Sequence, residues 1–353
     1  MTIHCVVGGA YGSEAKGSVT AYLAKQLRGK ITNVRVGGPN AGHTAYAADG
    51  VAWAMRQVPI GAVTNLGARL IIAAGSEIDI DVLNHEVTSL EAAGIPVAER
   101  LLIDIEATII DTEHKMLEAE LRSSIGSTAK GIGAARAARL MRKARRAQDV
   151  ADLLPGKVID TQQYLRNISR YTDQQIIIEG TQGFALGLHA GHYPYCTAGN
   201  CRNIDMLGQT GLVPRNDMHT WIVYRTYPIR VAGNSGPMAN ELTWEQLAGR
   251  TNGYIKPEKT TVTKLIRRVA EWDGTMSRRA IEANGGTGEK MHPCLMFVDY
   301  IDPALANTTS IGNVALSTKA HIFEQMRRDV GQHFDLFGTG PDTIVYARNP
   351  NKI

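Results

Sequence analysis

Aromatic residues make up only 6% of this 353-residue chain, and it holds only four cysteines, Cys5, Cys196, Cys201 and Cys294, scattered along it. That is too sparse for a disulfide framework. Cys196 and Cys201 lack the second Cys/His pair that a zinc site requires. Reduced thiols in a cytosolic protein are expected instead. No stretch approaches the ~20 apolar residues of a bilayer span, and no basic-then-apolar leader opens the chain, so a cytoplasmic location without a membrane partner is expected. Internal repeats, low-complexity tracts and linkers are also missing, and residues 1–353 read as a single domain with inserted loops. Thirty-eight Lys and Arg against 34 Asp and Glu leave a mild net charge of +4. Much of it lies in one run, Arg136, Arg139, Arg142, Lys143, Arg145 and Arg146, on an Ala/Leu-rich helical segment from Ala134 to Val150. A solvated helix face explains most such runs. No binding motif or interleaved aromatic accompanies this one, so nucleic acid is not an expected partner.

What is present begins at once. The apolar run Ile3-His4-Cys5-Val6-Val7 leads into Gly8-Gly9-Ala10-Tyr11-Gly12-Ser13-Glu14-Ala15-Lys16-Gly17-Ser18, and then into Val19-Thr20-Ala21-Tyr22-Leu23-Ala24. Strand, glycine-rich loop and helix in that order can aim backbone N–H groups and a helix N-terminus at phosphate oxygens, with Lys16 adding a point charge. The ordinary P-loop pattern is not met. It would need glycines at Ala10 and Ala15 and a hydroxyl at Gly17. A strand-to-helix turn that uses glycine only for tightness is the plainer alternative. A second compact turn, Gly37-Gly38-Pro39-Asn40-Ala41-Gly42-His43-Thr44, follows the short strand Asn33-Val34-Arg35-Val36. It sets an amide, an imidazole and a hydroxyl within five residues.

Buried-type β runs recur at 5–7, 33–36, 70–74, 175–178, 221–224 and 295–298. Helical stretches are read at 18–27, 81–93, 111–123, 275–284 and 318–330. Alternation of this kind predicts an α/β fold with a central, mostly parallel sheet covered by helices on both faces. Ligands of such folds sit beyond the carboxyl ends of the strands, where these motifs fall.

Together the two glycine turns resemble the opening of the adenylosuccinate synthetase family, which typically reads Gly-Asp-Glu-Gly-Lys and then Asn-Ala-Gly-His-Thr. Five further motifs follow in the family's order. They are Ile125-Gly126-Ser127-Thr128-Ala129-Lys130-Gly131-Ile132-Gly133, Glu179-Gly180-Thr181-Gln182-Gly183, His192-Tyr193-Pro194-Tyr195-Cys196-Thr197, Arg230-Val231-Ala232-Gly233 and Thr339-Gly340-Pro341-Asp342. The resemblance spans nearly the whole chain, which is short for a member, and implies the family's P-loop-like fold with long inserted loops. It also implies a ligase. In the family's ordinary reaction GTP phosphorylates O6 of inosine monophosphate, and the amine of aspartate then displaces that phosphate, with Mg2+ on the transferring group.

Ser13 stands where the family carries its base, the aspartate that takes the N1 proton, and an ordinary hydroxyl cannot replace a carboxylate base at neutral pH. Guanine differs from hypoxanthine by a 2-amino group beside N1. A short serine leaves room for that group and can accept its hydrogen bond. Serine here resembles the viral branch, the 2-aminoadenylosuccinate synthetases, which join dGMP to L-aspartate with ATP or dATP for modified phage DNA. The location would then be the host cytoplasm. Where GTP users carry Thr-Lys-Leu-Asp, this chain reads Met296-Phe297-Val298-Asp299. An aromatic stacks on any purine, so Phe297 would relax guanine selectivity, although an apolar residue on a strand is as readily part of the core.

By resemblance, Lys16, His43, Gln182 and Ser13 form the reacting group. Glu14, Ala15, Gly17, Gly42, Thr44, Phe297, Asp299 and the loop Gly338-Thr339-Gly340 would attend ATP. Asn40, Ser127, Thr128, Gln182, Thr197, Arg267 and Ser13 would attend dGMP, and Thr260, Thr261, Val262, Thr263 and Arg267 would attend aspartate. The Gly42 carbonyl and the Ser13 hydroxyl match the magnesium positions, the hydroxyl being the weaker ligand. Arg142 matches an arginine that crosses a homodimer interface to the partner's nucleotide phosphate. An ordinary inosine-monophosphate enzyme and a catalytically dead nucleotide-binding homologue are the alternatives. Ser13 and Phe297 speak against the first, and the retained Lys16, His43 and Gln182 against the second.

Overall fold

The apolar runs assemble into one ten-stranded sheet. The structure, a computed structural model, describes residues 1–260 and 264–347. In chain order the strands are β1 (Thr2–Gly8), β2 (Lys30–Arg35), β3 (Arg69–Ile72), β4 (Leu101–Asp104), β5 (Lys157–Ile159), β6 (Gln174–Glu179), β7 (Met218–Arg225), β8 (Met291–Met296), β9 (Leu336–Gly338) and β10 (Ile344–Tyr346). Their spatial order is β10-β9-β8-β7-β1-β6-β2-β3-β4-β5. Every pairing is parallel except that of β10 with β9. The expected α/β sheet is therefore present.

Period-two alternation puts apolar side chains on both faces. Ile3, Cys5 and Val7 pack with Ile176, Ile178, Ile222 and Tyr224 on one side. Val6 joins Ile177, Trp221 and Val223 on the other, beneath Val19 and Leu23 of helix α1 (Lys16–Gln26). The strands read as nearly continuous apolar runs for this reason: parallel crossovers cover both faces. Among the described residues no helix is long and apolar enough to cross a membrane.

Three expectations about elements need correction. The helix read over 111–123 is broken into Thr112–Leu117 and Leu121–Ile125. At the break the Glu118 carboxylate turns to accept the amides of Gly131 (2.7 Å) and Ala134 (3.2 Å), capping the helix Ile132–Leu140. That helix in turn stops well short of Val150. Arg142 takes a left-handed turn (φ 61°) and the Lys143 amide reaches back to the Ala138 carbonyl at 2.8 Å, a Schellman-type ending without the usual glycine. Finally, β8 ends at Met296. Phe297 leaves it with φ 62°, its carbonyl accepting the Thr226 hydroxyl at 2.7 Å, so it lies beyond the strand, partly buried against the core cluster that holds Val19 and Met296. The strands β4, β5, β9 and β10 escape the sequence reading; β5, β9 and β10 are three residues each, too short to carry a pattern.

Candidate active site

Five neighbouring strands, β8, β7, β1, β6 and β2, deliver the chemistry-bearing residues at or just beyond their carboxyl ends. After β1 the chain turns sharply, with Gly12 (φ 84°), Ser13 (φ 58°) and Ala15 (φ 69°) left-handed. The fully buried Glu14 organises the turn: its carboxylate accepts the amides of Ala10 (3.2 Å) and Gly12 (2.7 Å) and pairs with Lys16 Nζ at 2.6 Å. α1 then begins with no side-chain cap, so its first N–H groups remain available to an anion. Close approach explains two of the glycines. A Cβ at Gly9 would lie 2.1 Å from the Tyr224 ring, and one at Gly17 would lie 2.8 Å from His43 Cβ.

His43 follows β2 and opens the hairpin His43–Tyr46/Ala52–Met55. Its Nδ1 donates to Glu179 Oε1 at 2.6 Å, and the same carboxylate pairs with Arg35 and accepts the Ile60 amide at 2.9 Å. Arg35 and Glu179 terminate the adjacent strands β2 and β6 and are 1% and 0% exposed at the side chain. Burial and the Arg35 charge hold the imidazole pKa down at about 4, against the pull of Glu179. Burial would raise the Glu179 carboxyl, but Arg35 and the His43 bond outweigh it and bring it down to about 2. The resting state is thus a neutral imidazole on an ionised carboxylate, and His43 Nε2 has no partner among the described residues.

Ser13 is exposed, and Arg267 Nη1 donates to its hydroxyl at 2.6 Å. Arg225, buried at the end of β7, donates to the Ser13 carbonyl at 3.2 Å, pairs with Glu258 at 2.5 Å and lies 4.1 Å over the Phe297 ring. The Ser13 turn, the 258–267 segment and Phe297 therefore meet on one guanidinium. Asp299 accepts the Tyr254 hydroxyl at 2.8 Å, and burial raises its carboxyl pKa.

A narrow crevice gathers Asn40, Gln182 and Thr197 against Gly37, Gly38 and Arg136. Gln182 is left-handed (φ 65°), and the loop it begins presses on the phosphate turn: a Cβ at Gly183 would lie 2.5 Å from the Gly12 amide. Ser127 and Thr128 lie in the turn before the helix Ile132–Leu140, the Ser127 hydroxyl accepting the Ala129 amide at 3.1 Å. Thr260 accepts the Leu265 amide at 3.2 Å, while Thr261, Val262 and Thr263 fall outside the described residues. Gly338 ends β9 and Gly340 follows it. Thr339 between them is fully buried and gives its hydroxyl to the Thr308 carbonyl at 2.8 Å, leaving backbone alone to offer a ligand. Gly42 and Thr44 are exposed beside His43. Arg142 is exposed too, with no ion pair among the described residues. Among those residues no cluster of three acidic, His or Cys side chains could cage a metal.

Sequence reading missed Arg35, Arg225 and Glu258, and assigned Glu179 no role. The available signal was a charge at the end of an otherwise apolar strand, as in Asn33-Val34-Arg35-Val36.

An anion-binding turn and a buried His–Glu–Arg constellation at the carboxyl edge of a mostly parallel sheet define a nucleotide-phosphate-handling α/β enzyme. The adenylosuccinate synthetase family model matches residues 5–157 and 151–302. The adenylosuccinate synthetases of Pyrococcus horikoshii and Methanococcus vannielii are 34% and 32% identical to the chain, over 96% and 97% of it and 95% and 97% of their own lengths. The chain belongs to the adenylosuccinate synthetase family, whose members are carbon–nitrogen ligases. Among solved structures, the succinoaminodeoxyadenylate synthetase of cyanophage S-2L, bound to dGMP and to dATP as an energy donor, superposes with a TM-score of 0.81 at 26% identity, over 99% of this chain and 97% of that one. A fully ligated Plasmodium falciparum adenylosuccinate synthetase shares the fold, with a TM-score of 0.80 at 17% identity over 99% of this chain and all of the other.

Proposed function

We propose that the protein joins L-aspartate to C6 of dGMP at the expense of ATP or dATP, giving 2-amino-2′-deoxy-N6-succinoadenylate, the nucleoside diphosphate and phosphate. The observation that carries this reading is Ser13. It occupies the position of the family's carboxylate base, and its hydroxyl is held by Arg267 at 2.6 Å, which leaves space where a longer acid would crowd a 2-amino group. Likeness to a phage enzyme bound to dGMP supports the same choice.

In the first step the guanine O6–phosphorus bond forms as the γ-phosphorus–oxygen bond to the diphosphate breaks, and N1 gives up its proton. Without the family aspartate, a carboxylate of bound L-aspartate is the base we assign. In the second step the aspartate nitrogen bonds to C6, the C6–O bond breaks, phosphate leaves, and the nitrogen loses a proton. Lys16 and the N-terminus of α1 hold the polyphosphate. His43, once polyphosphate charge favours its protonation, donates from Nε2 to the transferring group while Glu179 balances the imidazolium. Magnesium would supply Lewis-acid neutralisation of the phosphates. An ion there would rest mainly on phosphate oxygens, with the Gly42 carbonyl as the protein position, because Glu14 is fully committed to the turn and the Ser13 hydroxyl, the other family position, already accepts from Arg267. Phe297 and Asp299 attend the donor base, and Asn40, Gln182 and Thr197 the acceptor.

Phosphate release from dGMP, GMP or inosine monophosphate, with aspartate, magnesium and ATP, tests the reading. dGMP should be favoured. Equal or better use of inosine monophosphate would return the chain to the ordinary reaction. Ser13→Asp should slow dGMP turnover, and unchanged turnover would place position 13 away from C2.

A further inference from the structure

We propose that Arg136 is a binding residue for the acceptor's 5′-phosphate, supplied by the same subunit that holds the acceptor; this rests on the reading that the Asn40–Gln182–Thr197 cleft receives the acceptor mononucleotide. The basic run containing Arg136 is not uniform in space. Arg139, Arg145 and Arg146 pair with Glu106, Asp111 and Asp149 at the surface, and Arg142 is exposed. Arg136 alone of the run lines the cleft, and it is the one charged side chain among the cleft's lining residues.

Its orientation is fixed. Glu77, only 3% exposed at the side chain, holds Nε at 2.5 Å and Nη2 at 3.3 Å, and the Ala198 carbonyl takes one Nη1 proton at 2.9 Å. A guanidinium has five N–H donors. Three are engaged, and two remain on the end nitrogens, on a group that cannot swing away. Gly199 is part of the same arrangement, because a Cβ there would lie 2.0 Å from Nη1. The bare backbone is what lets the guanidinium sit in the cleft. A rigid fork with free donors beside neutral amides and a hydroxyl suits a phosphate better than a sugar or a base edge. Since Glu77 offsets the charge, the contact acts through oriented hydrogen bonds more than through net field.

Removing Arg136 alone would strand a buried carboxylate, so the test uses two variants. Arg136→Gln with Glu77→Gln deletes the pair. Gly199→Ala displaces the guanidinium and keeps its charge. The readout is kcat/KM for dGMP against 2′-deoxyguanosine, which differ only in the phosphate. Both variants should lose about 10- to 100-fold on dGMP, the size of a hydrogen bond to a charged group, while deoxyguanosine changes by no more than about twofold. KM for ATP should hold. Parallel loss on both acceptors would mean a scaffold role, and no loss on either would mean no contact; each overturns the proposal. If inosine monophosphate proves to be the acceptor, inosine and its monophosphate serve as the pair, so an error about the base leaves this test standing. A wild-type protein that turns over neither nucleotide overturns both readings.

Discussion

Between pH 7 and pH 5 the buried His43 pulls stability and chemistry in opposite directions. Burial and Arg35 favour a neutral imidazole, holding its pKa near 4, whereas the proposed phosphoryl step needs Nε2 as a donor. The polyphosphate must supply the missing incentive. Such a contact is stronger in the transition state than in the ground state, and losing one typically costs about 10²–10³ in turnover. His43→Asn should therefore lower kcat by that order while dGMP affinity, measured calorimetrically, stays nearly intact. A kcat close to wild type would leave His43 a structural residue. Lys16 and His43 were legible because family motifs flag them. Arg35 and Glu179 were not, since a sequence does not say that the ends of β2 and β6 lie side by side with a histidine between them.

At the level of elements, long strands and helices were readable because a full apolar run or several turns carry pattern, and β1, β6, β7 and α1 appear within a few residues of where they were expected. What failed were the junctions. Glu118 breaks a helix to cap another, and Phe297 leaves β8 because Thr226 claims its carbonyl. Both depend on side chains outside the element itself, Glu118 reaching 13 residues ahead and Thr226 lying 71 residues from Phe297. The β1 turn gives a direct test of close approach. Gly9→Ala would drive a methyl into the Tyr224 ring, which is fully buried and anchored by its hydroxyl to the Ser277 carbonyl at 2.8 Å. Overpacking of this kind costs about 1–3 kcal/mol. Urea unfolding should show that loss, and activity should fall with it because the same turn carries Ser13 and Lys16.

Three adjacent strands also carry His4, His219 and His292 near their amino ends, stacked in sequence and linked by a 2.7 Å His219–His292 contact. Burial drives the His4 pKa to about 3 and the His219 pKa to about 4. With folded values below the unfolded value of about 6.5, the unfolded chain binds more protons in that window. Stability is then lost as pH falls from about 6.5 toward 4, by up to about 1.4 kcal/mol per pH unit for a fully buried histidine. Denaturant midpoints should fall between pH 7 and pH 5, and His4→Gln should flatten the fall. An unchanged slope would show that His4 contributes nothing to it.

For the whole molecule, the exposed Arg142 makes sense if it serves a neighbouring subunit. Mixing Arg142→Ala and Lys16→Ala subunits should then create heterodimers with one intact site and recover partial activity. With subunit exchange verified, no recovery would remove the shared site.

The rim of the sheet decides where such a partner can attach. Its outermost strands, β5 and β10, are three residues each, and β10 runs against the other nine. A neighbouring chain seeking to extend the ladder finds at most a few backbone groups there, beside the outward Lys157. Edges this short do not template intermolecular β-pairing. Eight apolar strands therefore sit between short edges, and association along this sheet is left to the helices and loops around it, the kind of surface on which Arg142 stands.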